Sequence, residues 1–444
     1  MADSRVETPI ASKTCLMLAL YPPPIVFSLP FFSIDKMRWS LPVCFIFFLY
    51  AKSLHRGSSL LSQPSRGGRF SSRFAELKAS VERDLDYEVY GVRINAKSGD
   101  PEIFQELYDG QLPVVLREAF HENHFEGDSW TKHLIERLGS KTVQFDVRDA
   151  ESGEVEVFEG SFNDFLESCV IQSCHERSLY FISETILSSA QDMMENVKLP
   201  MKLFGENYFE SCFPEKIRPQ TALIVGGFGS RSFLHADPYE WTGWNLLMEG
   251  KKLWIFFPPD DKELDELLQP SRNEVDVWGG VNISAGWVSD VDLYRCVSDK
   301  EVYISSLGKL LIEHLPVGEE IPFFNSGINE VDNADPRVFR NVVCIIQEEG
   351  DMLIIPPKWW HQVYHLEPSI ALAGQYFNDR VKENVFNHIC EWCNLDRDKT
   401  WSSIYNGESV DIKKKVLGII EMALISQHGN DEGKKIFDSI IFER

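Results

Sequence analysis

The sequence predicts a protein that is mainly β with flanking helices, built on an antiparallel barrel. Three patterns carry this. An apolar run at 244–248 meets a Glu249-Gly250 turn, a second apolar run at 252–257 and then Pro258-Pro259, which reads as a β-hairpin closed on glycine. A Gly350-Asp351 turn leads into apolar residues 352–355, a Pro356-Pro357 break and an aromatic stretch ending on His361, another arm of the same barrel. Beyond Arg380 the apolar period lengthens to that of helices, over 381–390, 410–426 and 434–441.

At 444 residues, with 43% hydrophobic and 25% charged, the chain can bury a large core around one main domain. The expected organisation is a leader or disordered segment over 1–75 and an α+β portion over 76–220 packing on the barrel. The barrel core follows over 221–377 with an insertion at 260–349, and a helical tail covers 378–444. Net charge is −24 but uneven: residues 1–75 hold nine Lys/Arg against three Asp/Glu, so the remainder carries −30. A body this acidic is a poor fit for unspecific nucleic-acid binding, which runs on Lys and Arg, and it steers basic proteins or peptides inward.

The leader reads as an address. An apolar block at 41–51 follows Lys36 and Arg38, and it is short of the ~20 residues a membrane span needs. It fits the core of a signal peptide starting at Met37, with Ala51-Lys52-Ser53 as the cleavage site. No acid occurs between Asp35 and Glu76, and Ser and Arg are plentiful there, as in a transit peptide. The secretory pathway or an organelle is the expected compartment; nucleus or cytoplasm is the alternative.

Next comes a polar, helical stretch over 73–110. Residues 112–200 mix strands at 142–145 and 180–182 with amphipathic helices at 130–138 and 162–169, and supply one outer strand of the barrel. Residues 221–225 form a barrel strand, and the glycines within 226–230 turn the chain toward Ser232 and His235. Those glycines lack the Lys-Ser/Thr ending of a phosphate loop and lead into a strand, so they are not one. The insertion opens on an acidic helix at 260–266 and runs through Trp278 and Trp287 to a helix near 307–314. Its length favours a functional segment, a wall for a basic or amide-bearing partner, with plain surface decoration as the equal alternative.

The chemistry concentrates at His235 and Asp237, which share a face because strand side chains alternate. His361 joins them from a distant strand. Two imidazoles and a carboxylate form the facial donor set that holds iron(II) and leaves positions open. A His-x-Asp alone is a weak signal, since Asp237 before Pro238 also starts an ordinary turn. Lys252 adds weight: it has the parity of Trp254 and Phe256, and a lysine on a buried face is costly unless it meets an anion. His365 and Glu367 compete with His361. In a helix His361 and His365 would be neighbours able to share a zinc. The prolines at 356, 357 and 368 favour a strand, which sets the two roughly 13 Å apart at ~3.3 Å per residue. His361 is the expected ligand, and His365 a structural or exposed histidine.

With these motifs in place, residues 112–377 resemble the Jumonji-C family of cupin-fold, iron(II)- and 2-oxoglutarate-dependent oxygenases. Within it they are most similar to the protein-hydroxylase branch that includes the arginine demethylase and lysyl hydroxylase. The matching stretches are Leu112-Pro113-Val114-Val115-Leu116-Arg117, then His235-Ala236-Asp237-Pro238 with Trp244-Asn245 and Gly250-Lys251-Lys252-Leu253-Trp254, and finally 350–361. The resemblance implies a double-stranded β-helix (cupin/jelly-roll) barrel with iron on His235, Asp237 and His361. It implies 2-oxoglutarate held by Lys252, Asn245 and Ser232, with O2 as the other co-substrate. A protein or peptide would be hydroxylated, or demethylated at nitrogen, and the C-terminal helices permit a homodimer. The chain departs from the branch at 371–375, where small residues and Gln375 stand in place of a further co-substrate contact.

Two rivals stay open. A metal-binding cupin that is not an oxygenase has no use for Lys252 or Asn245, and a catalytically silent interaction protein has no need of an intact triad. The nine cysteines show no disulfide framework. Cys390 and Cys393 lack the second Cys-x-x-Cys of a structural zinc site and read as an ordinary helix pair.

Overall fold

Runs of apolar side chains around each turn signal build two sheets that face one another. The structure is a computed structural model, and it describes residues 92–442 apart from 97–98, 121–128, 150–153, 172–176, 196, 198, 260, 269–271, 277–284, 290, 292, 294–301, 305–336, 340–341 and 406–410. The leader at 1–75, with its compartment signal, Trp278 and the helix expected near 307–314 lie outside the described residues.

The strands in chain order are β1 (Val92–Asn95), β2 (Val114–Arg117), β3 (Thr142–Asp149), β4 (Val155–Ser161), β5 (Arg177–Ser183) and β6 (Ala222–Gly226). They continue as β7 (His235–Ala236), β8 (Thr242–Glu249), β9 (Lys251–Phe257), β10 (Arg272–Asp276), β11 (Ala285–Ser289), β12 (Val302–Ile304) and β13 (Arg337–Phe339). The last four are β14 (Val343–Glu348), β15 (Met352–Ile355), β16 (Trp360–His365) and β17 (Ser369–Tyr376). One sheet has nine strands in the order β1-β2-β15-β8-β17-β6-β5-β3-β4, and the other has six, β10-β11-β7-β16-β9-β14; β12 and β13 pair separately. The alternation of β6, β8, β15 and β17 with β7, β9, β14 and β16 between the two sheets is the expected double-stranded β-helix.

The β8–β9 hairpin forms where the sequence placed it. Gly250 holds a φ of 88°, and a Cβ there would stand 2.2 Å from the Pro368 carbonyl oxygen, so no other residue fits this turn without displacing backbone. The space between the sheets is filled by Val115, Trp254, Phe256, Ile345, Leu353 and Ile355. Outside the large sheet, Trp130, Leu134 and Leu138 bury one stripe of the helix Trp130–Leu138, whose first turn is capped by the Ser129 hydroxyl. The helix Lys262–Leu268 covers the small sheet with Leu264 and Leu268.

The portion before residue 220 is more deeply built in than a single outer strand. It places β1 and β2 at one end of the large sheet and β3, β4 and β5 at the other. The tail forms the helices Lys382–Trp392, Arg397–Tyr405, Ile412–His428 and Asn430–Ile441. Their buried residues join Tyr208, Phe209, Tyr239, Trp241 and Phe377 in one apolar cluster. Among the described residues no helix is long and apolar enough to cross a membrane.

Candidate metal centre and co-substrate pocket

His235 on β7 lies directly opposite His361 on β16 in antiparallel register, with ring centroids 4.2 Å apart. Asp237 follows β7, and its Oδ1 stands 3.9 Å from the Nε2 of each imidazole. One ligand atom from each of the three residues falls within 4.8 Å of the others. The second ring nitrogens decide the tautomer. His235 Nδ1 is 2.8 Å from the Phe233 carbonyl and His361 Nδ1 is 3.0 Å from that of Trp359. A carbonyl only accepts, so each Nδ1–H donates and each Nε2 is the atom turned toward Asp237 and available to a metal.

His361 is buried beside Trp254 and Phe256. That burial, with the charge of His235 beside it, pushes its pKa well below the imidazole range and keeps it neutral. Burial pushes the Asp237 carboxyl upward, opposed by His235 and by a hydrogen bond from the Trp241 side chain. Asp237 Oδ2 occupies space left by Gly243, where a Cβ would come within 2.4 Å of it. Two imidazoles whose Nδ1 atoms are engaged by backbone carbonyls, together with a carboxylate, fit iron(II). Their 3.9 Å spacings lie within an ångström of the ~3 Å that adjacent ligands at bonds of ~2.1 Å require.

The loops carrying the ligands are strained. Tyr239, Glu240 and Lys358 hold φ values of 57°, 53° and 67° without being glycine, at about 1–3 kcal/mol each. Stacking of Tyr239 on Trp241, centroids 5.3 Å apart, holds part of this conformation.

Lys252, on the strand that pairs with that of His361, has no acid partner among the described residues. Lys252 is 1% exposed, and its Nζ donates to the neutral Asn245 Oδ1 at 3.4 Å. Burial brings its pKa down to about 7. Asn245 and Ser232 both line a cavity of about 270 Å³ that also contains the triad. Ser232 Oγ accepts from the Val363 amide at 3.1 Å, leaving its hydroxyl proton to donate; no hydrogen bond among the described residues joins Ser232 to Lys252 or Asn245. A second hydroxyl, Ser230 Oγ, is buried without a partner. Ser230 accepts from the His365 amide through its backbone, and His365 faces Lys252 in register. A buried lysine whose one bond is to a neutral amide oxygen, and an orphaned hydroxyl on a neighbouring strand segment, fit a bound carboxylate.

His365 stays out of the metal cluster and is buried, its Nδ1 held by the Ser369 hydroxyl. Gln375 lines the cavity. Cys390 and Cys393 are buried, and burial pushes both thiols up, Cys393 to about 12, which keeps them protonated.

Residues from outside the barrel complete the mouth. Asp146, Arg148, Tyr180 and Glu184, from β3, β5 and the turn after it, line the cavity, and Val288 of β11 faces it from the small sheet. Burial pushes Glu184 up to about 7, opposed by a hydrogen bond from the Gln220 backbone. Arg148 lies 4.9 Å over the Phe233 ring and beside Asp146, whose carboxyl burial raises. Sequence reasoning passed over all of these, and over Trp241, Gly243 and Ser230. For Ser230 the signal was available, since it shares the parity of Ser232 and His235 was reached through the same turn.

Comparison with known proteins gives the barrel its relatives. Residues 100–383 match the model of the cupin-like domain. The chain is 24% identical over 288 residues to lysine-specific demethylase JMJ21 of Arabidopsis thaliana, covering 65% of this chain and 25% of that protein. It is 21% identical over 272 residues to the bifunctional arginine demethylase and lysyl-hydroxylase psr-1 of Caenorhabditis elegans, covering 60% and 56%. With the 2-oxoglutarate and iron-dependent oxygenase JMJD4 of Mus musculus it shares 24% over 296 residues, covering 63% and 58%. The matched region thus spans between a quarter and somewhat under three fifths of these relatives. With well over half its own length inside the matched domain, and with the barrel that the match implies, the chain belongs to the cupin-like domain family.

Proposed function

We propose that this protein is an iron(II)- and 2-oxoglutarate-dependent oxygenase acting on a lysine or arginine side chain of a protein or peptide. One observation carries this: a triad of two imidazoles and a carboxylate shares its cavity with Asn245, on which rests a buried lysine with no acid partner among the described residues. Bound together, iron(II) and 2-oxoglutarate supply oxidative decarboxylation of the co-substrate by O2, coupled to hydroxylation of a C–H bond.

The chain's own residues bind, orient and exclude water. His235, Asp237 and His361 hold the metal, with the Nδ1–H bonds to Phe233 and Trp359 fixing how each ring faces it. Trp241 keeps the Asp237 carboxylate turned inward. The Lys252 ammonium, with Asn245 and Ser232, would take the far carboxylate of 2-oxoglutarate, which adds an anion to its bond with Asn245. Trp254 and Phe256 keep water from the His361 side.

The substrate class follows from two supports. The relatives include proteins named for arginine demethylation, lysine demethylation and lysyl hydroxylation. On the cavity wall, Asp146 and Glu184 suit a cationic side chain. Hydroxylation of a ring-free side-chain carbon leaves an alcohol. At an N-methyl carbon it leaves a hemiaminal that splits to formaldehyde and the shorter amine, so one site serves both outcomes. The test is mass spectrometry of lysine- and arginine-containing peptides incubated with enzyme, iron(II) and 2-oxoglutarate, with succinate measured in parallel. Singly oxygenated or demethylated peptide is expected. His235→Ala should abolish O2-dependent succinate release, and turnover that survives it would place the chemistry elsewhere.

A further inference from the structure

We propose that the ion pair between Glu240 and Lys358 is a positioning clamp. It fastens the loop bearing Asp237 to the loop bearing His361, and through Glu240 and its neighbours seats the Asp237 loop on the C-terminal helices, so the spacing of the metal ligands is set from outside the barrel. This rests on the metal-site reading above and extends it to residues that touch no ligand.

Glu240 Oε2 lies 3.1 Å from Lys358 Nζ, and Oε1 lies 3.9 Å from Nδ1 of His388 on the helix Lys382–Trp392. Each partner adjoins a residue that touches a ligand. Glu240 precedes Trp241, whose side chain hydrogen-bonds the Asp237 carboxylate. Lys358 precedes Trp359, whose carbonyl takes the His361 Nδ1–H. The backbone carries the same message. The left-handed conformation falls on Tyr239, Glu240 and Lys358, on both members of the pair and one neighbour. Non-glycine residues stay there only where their surroundings over-determine them.

The C-terminal helices are the anvil. Tyr239 and Trp241 sit in one apolar cluster with Val385, Phe386 and Ile389, and the Tyr239 ring is 6.4 Å from that of His388. The tail is thus a structural backing for the Asp237 loop. The pair itself is part-exposed, with side-chain exposures of 18% for Glu240 and 51% for Lys358. Such pairs add little to global stability, which separates positioning from mere structural support: its loss should appear at the metal and leave the melting temperature in place.

The test is anaerobic titration of the metal-free full chain with Co(II), whose visible bands report ligand geometry without turnover. Lys358→Met and Glu240→Gln should each weaken Co(II) binding about tenfold, the size of effect seen when groups that orient a ligand are removed, and change the band intensities. The double variant should be no worse than either single one, because the two act as a unit. Lys358→Arg, which keeps charge and reach, should restore the affinity lost in Lys358→Met. Melting of the metal-free variants should stay within about 2 °C of wild type. Affinities within about twofold of wild type in both single variants, below the effect expected of an orienting group, would overturn the clamp, as would losses that track a lowered melting temperature. Wild-type protein that fails to bind Co(II) would instead bring down the metal-site reading itself.

Discussion

Replacing Lys252 by methionine should do two opposite things: stabilise the ligand-free protein and cripple co-substrate binding. The ammonium is 1% exposed, its partner is the neutral Asn245 oxygen, and burial alone brings its pKa from 10.5 to about 7. At roughly 1.4 kcal/mol per tenfold change, that drop is a penalty on the order of 5 kcal/mol on the charged form. Methionine fills a similar volume without charge. Replacing buried charge by apolar volume yields about 1–4 kcal/mol, so melting should rise by a few degrees. Removing one partner of a buried ion pair costs about 3–5 kcal/mol, so 2-oxoglutarate should bind roughly 100- to 4,000-fold more weakly. Scanning calorimetry reads the first effect, and anaerobic titration calorimetry with Mn(II) present reads the second. An affinity within about threefold of wild type, far short of that loss, would refute the co-substrate role. A lowered melting temperature would refute the penalty.

The same side chain fixes a pH dependence. The folded pKa lies below the unfolded one, so between about 7 and 10.5 the unfolded chain holds the extra proton. Stability attributable to Lys252 therefore rises with pH through that window, and the full penalty applies below it. A bound carboxylate raises the lysine again. Binding above pH 7 must then take up a proton, and affinity should fall with rising pH by up to about tenfold per unit. Titration calorimetry in buffers of different ionisation enthalpy measures that uptake directly, and a flat profile would sink the assignment.

Three further outcomes follow from the site. Gly243→Ala puts a Cβ 2.4 Å from Asp237 Oδ2, so Co(II) affinity should fall by more than about tenfold while the circular dichroism spectrum keeps its wild-type shape. Trp241→Phe keeps the stack on Tyr239 but removes the bond to Asp237; metal affinity should drop about 10- to 100-fold, read by chelator competition. Glu184→Gln should raise KM for a cationic peptide about tenfold, worth roughly 1.4 kcal/mol, with kcat preserved; equal loss of kcat would move Glu184 from recognition to chemistry.

The clustering of His235, Asp237 and His361 was legible because metal coordination restricts residue identity. His235, Asp237 and His361 cannot be exchanged for similar residues, and the two-residue strand period announces which of them share a face. Lys252 was legible as a charge where no charge belongs. Ser230 and Ser232 share parity, so only the fold distinguishes the hydroxyl bonded by Val363 from the one left alone. His365 was expected to be structural or exposed, and its burial depends on Ser369 and on pairing opposite Lys252, contacts set by register. The helix Arg397–Tyr405 went unseen because its sequence is only weakly amphipathic and shows no apolar stripe.

Recognition was illegible for a related reason. β5 joins the large sheet through β6 and β3 joins through β5, both across long stretches of chain, with β4 added by a hairpin, and a strand's sequence does not say which edge it extends. Yet those strands bring the charges that face an arriving substrate. Asp146 lies beside Arg148, which offsets its charge, and Arg148 also covers the Phe233 ring. Glu184 is differently placed: its carboxylate accepts from the Gln220 backbone, and burial holds its pKa about 7, so its charge is most readily restored by a cation. On the proposed reading, a wall with one compensated acid and one awaiting a cation would favour a single positive charge at the mouth. On the proposed reading the barrel would hold the reacting groups, and the strands grafted onto its edge would contact the partner around them.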